Sequence, residues 1–360
     1  MRDCPHMVWQ VRVPRTTVNN LFIMNKDSWI LVTGGAGLIG SAIVYELNQQ
    51  GYANIVIADH LGTSEKWQNL RALDFVDYYE KDDFYNLLIT NKLDTLYKFD
   101  VIFHLGNCSD TTEADATYLI KNNFNYGKAL TDYCERNGAR MIYASSAATY
   151  GDGEAGFLDD ENGLLKLRPL NKYGYSKQIF DQYLLRTDRF AKPAGGASFV
   201  GVKYSNVFGP NEYHKAHMRS MLLRCYEQIF ATGSVKLFKS YRPEYADGEQ
   251  VRDFLYVKDA AKMTIFFMDK GSACTGLYNI GFGTTRSWND LARAMFAAMD
   301  KPVNIEYIEM PETLKSRYQY YTCLDITKIR QAGYAAHLTS LEDAAKDYVS
   351  YLKRGAHLGE

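Results

Sequence analysis

The feature that most constrains this 360-residue chain is a glycine-rich turn between a short apolar segment and a helical pattern. Trp29–Thr33 is typical of a buried strand, and Gly34, Gly37 and Gly40 then precede a helical pattern that ends at Gln50. Glycine at such positions permits a tight turn, close approach of the backbone to a diphosphate, and close packing of helix on strand. The pattern predicts a nucleotide-binding βα unit, with an ordinary tight turn as the alternative.

The alternation of strands and helices continues as far as residue 204. Parallel strands need crossover helices, so we predict an α/β fold with a doubly wound parallel Rossmann sheet and ligand sites at the carboxyl ends of its strands. The predicted strands are Trp29–Thr33, Asn54–Asp59, Phe75–Tyr79, Asp100–His104, Arg140–Ser145 and Ser198–Lys203. The predicted helices include Gly37–Gln50, Glu113–Asn137, Tyr173–Arg189 and Leu341–Lys353.

Shorter elements after residue 204 predict a second unit. We expect an N-terminal extension over 1–27, a dinucleotide-binding domain over 28–204 to which 251–275 returns, and a smaller, mainly substrate-binding α/β domain over 205–355.

Composition narrows the classes of partner. The 41 Lys and Arg residues nearly balance the 42 Asp and Glu residues, so attraction to nucleic acid or to an anionic membrane is not expected. No apolar run approaches the roughly 18 residues that span a bilayer. The Cys and His spacings match no common zinc motif. We therefore expect a cytoplasmic protein without a metal, acting on a small molecule.

An acidic residue follows the glycine turn at an informative distance. Asp59 ends the second predicted strand, where a carboxylate accepts hydrogen bonds from an adenosine ribose. The same charge would repel a 2′-phosphate, and Lys66 and Lys81 could offset that repulsion. Alternatively, the two lysines are ordinary surface residues, so these residues leave the choice between NAD and NADP open.

Two later segments predict an acid/base group. Tyr173 and Lys177 lie four residues apart, on one face of a predicted helix, and a nearby ammonium favours the phenolate that could remove a proton from an alcohol. Ser146 follows a predicted strand, where its hydroxyl could bind the reacting oxygen. The alternative is that the small residues at this strand end, Ser146 among them, serve only to pack the chain.

These motifs, in this order, resemble the extended short-chain dehydrogenase/reductase family of NAD-dependent epimerases and dehydratases. Further segments resemble the branch that inverts carbon 6 of an ADP-heptose for lipopolysaccharide synthesis. They are Phe103-His104, Cys108-Ser109, His214-Lys215, Lys203–Pro210, Arg252–Phe254 and Leu314–Gln319.

The resemblance implies a tightly bound cofactor, usually NADP, a nucleotide-sugar substrate and a homo-oligomer. It implies Ser146, Tyr173 and Lys177 as the catalytic group. The implied cofactor contacts, together with the glycines above, are Leu38, Ile39, Asp59, His60, Lys66, Lys81, Leu105, Gly106, Asn107, Cys108, Ser109, Asn122, Tyr173, Lys177 and Val207. The implied substrate contacts are Ser146, Asn206, Lys239, Arg252 and Tyr318, with Arg252 on a phosphate or, alternatively, in a structural ion pair.

The chain departs from that branch at several positions. His217 and Arg224 stand where the branch usually has Ser and His, and we place both on the substrate side. A longer loop, Tyr241–Gln250, precedes Arg252. A UDP- or GDP-hexose 4-epimerase therefore stays open. A 4,6-dehydratase is disfavoured, because Ala147 and Ala148 replace the carboxylates common in that class, and a nucleotide-sensing module without turnover is less favoured still.

Inversion of an unactivated carbinol requires a transient ketone, and the two alcohols present their hydroxyls on opposite sides. A second acid/base group is therefore required besides Tyr173. Lys215 is our candidate, since burial or neighbouring cations would favour its neutral amine. A phosphate-binding or solvated lysine is the alternative.

Overall fold

The computed structural model describes residues 24–315 and 318–360, so the predicted extension lies largely outside the described residues. Each predicted strand begins and ends within two residues of an observed one. The strands are β1 Ile30–Thr33, β2 Ile55–Asp59, β3 Asp77–Glu80, β4 Val101–His104, β5 Arg140–Ser146, β6 Ser198–Tyr204, β7 Asn206–Phe208, β8 Val235–Phe238, β9 Val251–Arg252, β10 Phe254–Tyr256, β11 Gly276–Ile280, β12 Arg286–Ser287 and β13 Ile305–Ile308.

In the described part of the chain, seven parallel strands form the central sheet in the order β11-β6-β5-β4-β1-β2-β3. Strand order reverses between β1 and β4, which places a crevice at the carboxyl ends of these two strands. The predicted doubly wound α/β fold is confirmed. Three two-stranded ladders, β7 with β10, β8 with β13 and β9 with β12, lie outside that sheet.

Both faces of the sheet are buried, since successive side chains of a strand point to opposite faces. In β1, Ile30 and Val32 belong to one apolar cluster and Leu31 to the other. This explains why the strands read as continuous apolar segments. The helices that cover the sheet and the outer ladders are α1 Leu38–Gln49, α2 Lys81–Ile89, α3 Leu93–Leu96, α4 Ala116–Leu119, α5 Tyr126–Asn137, α6 Lys172–Arg186, α7 Met221–Thr232, α8 Val257–Ile265, α9 Trp288–Ala298, α10 Glu312–Lys315, α11 Thr327–Gln331 and α12 Leu341–Arg354.

Two predicted helices were wrong in detail. The helix expected from Glu113 begins at Ala116, because the Asp115 side chain accepts hydrogen bonds from the first backbone N–H groups, and a π-helix over Ile120–Asn125 separates α4 from α5. The helix expected to reach Arg189 ends at Arg186, before Asp188 adopts a left-handed φ of 59°. The predicted domain boundaries stay a prediction.

None of the helices among the described residues has the length and apolar composition needed to cross a membrane.

Candidate active site

The glycine turn brings two strand ends into contact. A Cβ atom on Gly34, whose φ is 71°, would lie 2.7 Å from the backbone nitrogen of Gly106. A Cβ atom on Gly40 would lie 2.1 Å from the carbonyl oxygen of Gly34. Any side chain would therefore force these backbones apart. Gly37 is the N-cap residue of α1 and has no side chain to cap the helix. The first backbone N–H groups of α1, at Leu38 and Ile39, therefore have no side-chain cap where the helix meets the turn.

Asp59 ties the end of β2 to this turn. One carboxylate oxygen accepts a hydrogen bond of 2.8 Å from the backbone N–H of Ala36, and the other lies 2.6 Å from Nζ of Lys66. Lys66 therefore folds back onto Asp59 and offsets its charge, which would reduce the repulsion of a 2′-phosphate. His60 points outward instead, with its side chain 64% exposed and its Nδ1 3.1 Å from Glu80.

The loop after β4, together with α2 and the π-helix, supplies further polar groups. Lys81 donates to the side-chain carbonyl of Asn122 over 3.0 Å. Among the described residues, the amide nitrogen and oxygen of Asn107 are buried without a hydrogen-bond partner. Leu105, Gly106 and Cys108 are half-buried around them, whereas Ser109 is exposed.

Each of these features suits one part of a bound dinucleotide. The uncapped helix end suits a diphosphate, the buried Asp59 suits a ribose, and the unpaired amide of Asn107 suits a polar ligand atom. The residues present fit the predicted cofactor.

Ser146 and Tyr173 meet at the carboxyl end of β5. The Ser146 hydroxyl accepts a hydrogen bond of 3.1 Å from Ala148 N–H, which orients its side chain. Tyr173 lies in the first turn of α6 and is 9% exposed. Burial raises the pKa of its phenol, and a hydrogen bond with Ser146 opposes that rise. The two hydroxyls can therefore share one substrate oxygen.

Lys177 lies one turn after Tyr173. Its ammonium donates to the carbonyl of Ala144 over 2.9 Å and lies 6.0 Å from the centre of the Tyr173 ring. Burial lowers the pKa of Lys177 to about 7, and the nearby Asp181 carboxylate and Cys108 sulfur oppose that decrease. The amine is thus poised to change protonation near neutral pH.

Lys215 belongs to a short 3-10 turn, Tyr213–Met218, that packs against the loop after β4. Nε2 of His217 lies 3.3 Å from a carboxylate oxygen of Asp110, and Thr112 lies 3.4 Å from the same nitrogen. The turn therefore lies at the edge of the sheet that carries the other predicted groups. Burial lowers the pKa of Lys215, as a base would require. Within the described residues, no recorded contact joins Lys215 to Tyr173.

Arg252 lies in an aromatic clamp on β9. Its guanidinium carbon is 5.5 Å from the Trp288 ring and 5.4 Å from the Tyr318 ring, and Trp288 donates to the Tyr318 hydroxyl over 2.9 Å. Among the described residues, no carboxylate lies within ion-pair distance of Arg252. Its neighbour Asp253 instead accepts backbone N–H groups, including that of Phe282. A buried guanidinium without a counter-ion suits a phosphate.

The other predicted substrate residues are less concentrated. Lys239 pairs with Glu309 over 2.7 Å and is 44% exposed. Arg224 donates to the carbonyl of His217. Asn206 is exposed on β7, where Val207 is half-buried. The structure therefore brings Arg252 and Tyr318 together but leaves the remaining substrate assignments as predictions.

Residues 30–281 match the NAD dependent epimerase/dehydratase family. The chain belongs to this family. As a member, it is an enzyme of the nicotinamide-dependent epimerase class, with a sugar nucleotide as the kind of substrate.

Relatives of this family member carry more specific names. An ADP-L-glycero-D-manno-heptose-6-epimerase of Nitratidesulfovibrio vulgaris is 46% identical over 89% of the chain and 96% of its own length. One of Fusobacterium nucleatum is 45% identical over 90% of the chain and 98% of its own length. The crystal structure of the Helicobacter pylori ADP-L-glycero-D-manno-heptose-6-epimerase superposes with a TM-score of 0.74, at 27% identity, covering 92% of this chain and 99% of that one.

Sequence reasoning missed two parts of the site of this epimerase/dehydratase family member. Asn123 receives a hydrogen bond of 2.8 Å from the backbone N–H of Cys108 and donates to its carbonyl over 2.9 Å, which fixes the loop after β4. Thr33 and His104 are joined over 2.7 Å at the ends of β1 and β4. Asn123 lies in the π-helix, and no local pattern predicts either contact.

Proposed function

We propose that this enzyme inverts carbon 6 of ADP-glycero-manno-heptose by transient oxidation to a ketone and reduction from the other face. The observation that carries the reaction class is the group formed by half-buried Ser146 with buried Tyr173 and Lys177 at the carboxyl end of β5. The identity of 45–46% to relatives named as ADP-heptose 6-epimerases supports the substrate.

Each group of the chain has a separate task in this proposal. Ser146 holds the reacting oxygen, Tyr173 takes its proton, and the ammonium of Lys177 stabilises the phenolate. A bound nicotinamide would supply reversible hydride transfer at the carbinol carbon. The buried position of Tyr173 excludes bulk water from the oxygen while it is a ketone.

Lys215 serves as the second acid/base group in this proposal. Its lowered pKa supports a neutral amine, and its turn lies at the same edge of the sheet as Tyr173. Lys215→Met should block epimerisation while the variant still slowly reduces an aldehyde analogue, with the exposed Lys192→Met as control. Normal epimerisation by Lys215→Met would refute the two-base step.

Arg252 supplies the diphosphate contact. Its guanidinium is held between two aromatic rings, and the carboxylate of the next residue, Asp253, accepts a hydrogen bond from the backbone N–H of Phe282. The planar fork of an arginine binds phosphate oxygens in pairs. Asn206, Lys239, His217 and Arg224 remain proposed substrate contacts.

We propose NADP as the cofactor, with NAD as the alternative. The ion pair of Lys66 with Asp59 supports this choice, because it offsets the repulsion that a 2′-phosphate would meet. We also propose a homo-oligomer, which light scattering on the purified protein would test.

A panel of substrates tests the proposed function. The purified enzyme should interconvert the two ADP-glycero-manno-heptose epimers and leave UDP-glucose and GDP-mannose unchanged, as followed by proton NMR. A 4-epimerase would give the reverse result. A dehydratase would release water and accumulate a 4-keto-6-deoxy sugar, which Ala147 and Ala148 disfavour.

A further inference from the structure

A fully buried ion pair lies beneath the Ser146 turn. Nζ of Lys203 is 3.3 Å from a carboxylate oxygen of Asp181, with the two side chains 1% and 0% exposed. The carboxylate also accepts hydrogen bonds of 2.9 Å from the Tyr143 hydroxyl and 2.7 Å from the Ser145 hydroxyl. Taking two charges out of water is costly, and these extra hydrogen bonds compensate for part of that cost.

The pair connects the two elements that carry the catalytic group. Asp181 binds Ser145, the residue before Ser146 on β5. Lys203 donates to the Thr149 hydroxyl over 2.6 Å, and that hydroxyl donates to the Ser146 carbonyl over 2.8 Å. The Ser146 turn is therefore attached to α6 and to β6 through one buried network.

Asp181 also stands one helical turn beyond Lys177 on α6. The other titratable groups that face Lys177 are His104 on β4, Cys108 in the loop after β4, and Tyr173 on α6. Burial lowers the pKa of His104 to about 3 and raises the pKa values of Cys108 and Tyr173, so all three are uncharged near pH 7. Among these neighbours, Asp181 is the one that forms an ion pair, with Lys203.

We propose that Asp181 and Lys203 are positioning residues that fix the Ser146 turn against α6, and that the Asp181 carboxylate, partly neutralised by Lys203, stabilises the ammonium of Lys177 one helical turn away. The inference rests on the proposed catalytic role of Lys177. A pair whose charges did not reach Lys177 would leave the titration of that lysine unchanged when either charge is removed.

Removing each charge separately tests the proposal. Asp181→Asn removes the negative charge, so the alkaline limb of the kcat profile should move to lower pH by about one unit. Lys203→Met removes the positive charge and should move the limb to higher pH. KM should change less than about twofold, because neither residue touches the substrate. Asp188→Asn and Lys192→Met, at an exposed pair, are the matched controls and should leave the limb in place.

Shifts of the alkaline limb in opposite directions in the two variants support the proposal. Shifts in the same direction, or an unchanged limb, would overturn it, even if both variants unfold at a lower temperature than the wild type. If Asp181→Asn does not fold, the direction of the limb in Lys203→Met decides alone. An NMR titration of the 15Nζ resonance of Lys177 follows the same protonation without turnover. The resonance is assigned by its absence from the spectrum of Lys177→Arg. Absence of epimerisation by the wild type would therefore refute the proposed function while leaving this test intact.

Discussion

Nζ of Lys177 lies 6.0 Å from the centre of the Tyr173 ring, with both side chains buried at the carboxyl end of β5. The ammonium is close enough to stabilise a phenolate but donates its recorded hydrogen bond to the Ala144 carbonyl. In the proposed mechanism, the lysine therefore acts on the tyrosine through its charge.

Tyr173→Phe removes the hydroxyl and little packing volume. We expect kcat to fall by about 10²–10⁴-fold, the range for loss of a general base, with cofactor affinity unchanged. Tyr175→Phe is the control, because Tyr175 lies on the same helix with its side chain 55% exposed. Steady-state kinetics and cofactor titration make the comparison, and wild-type turnover in Tyr173→Phe would contradict the assignment.

Lys66→Met should weaken NADP binding more than NAD binding. The substitution leaves the Asp59 charge uncompensated beside the proposed 2′-phosphate site, so we expect the NADP to NAD affinity ratio to fall about tenfold. Asp59→Asn should raise that ratio while keeping a hydrogen-bond acceptor for Ala36 N–H. Fluorescence titrations with both cofactors measure the ratio, and equal losses for both cofactors would mean a structural role.

His104 should make the fold sensitive to acid. Its pKa falls from 6.5 to about 3 because it is buried, so between those values the unfolded state binds the proton more readily. Stability is therefore lost as pH falls through this window, by about 1.4 kcal/mol per unit from this group. His104→Gln should lose less stability than the wild type between pH 7 and pH 5 in urea unfolding. His337→Gln, at an exposed position, is the control, and an identical acid loss in His104→Gln would exclude His104 as the cause.

Ala216 adopts a φ of 45°, next to the proposed base Lys215. With its ψ of −119°, this backbone conformation costs an alanine about 1–3 kcal/mol, which glycine does not lose. We expect Ala216→Gly to raise the unfolding temperature by a few degrees or to leave it unchanged. Ala297→Gly, inside α9, should lower stability by about 1 kcal/mol. Equal destabilisation by both would show that the backbone at Ala216 is not strained.

The fold and the core of the candidate site follow from local sequence signals. Buried parallel strands are continuous apolar segments, and glycines 34 and 40 are required by backbone contacts that no side chain could fit. A Cβ atom on Gly37 would lie 3.2 Å from the Gly34 carbonyl oxygen, a tight contact that a small shift would relieve. Ser146, Tyr173 and Lys177 are recognisable because strand ends and helix spacing bring them together. Asp181 and Lys203 are not, since their pairing joins residues 22 positions apart on different elements and depends on packing. The π-helix containing Asn123 also escapes a pattern based on 3.6 residues per turn.

The central claim is inversion of a carbinol centre by transfer and return of one hydride. Incubation of the enzyme with ADP-D-glycero-D-manno-heptose in deuterated buffer, followed by proton NMR, tests it most directly. The account predicts conversion to the L-glycero epimer with no deuterium at carbon 6, because the hydrogen that leaves that carbon comes back to it. Deuterium at carbon 6 would contradict the account, since it would mean that the hydrogen exchanges with solvent as a proton.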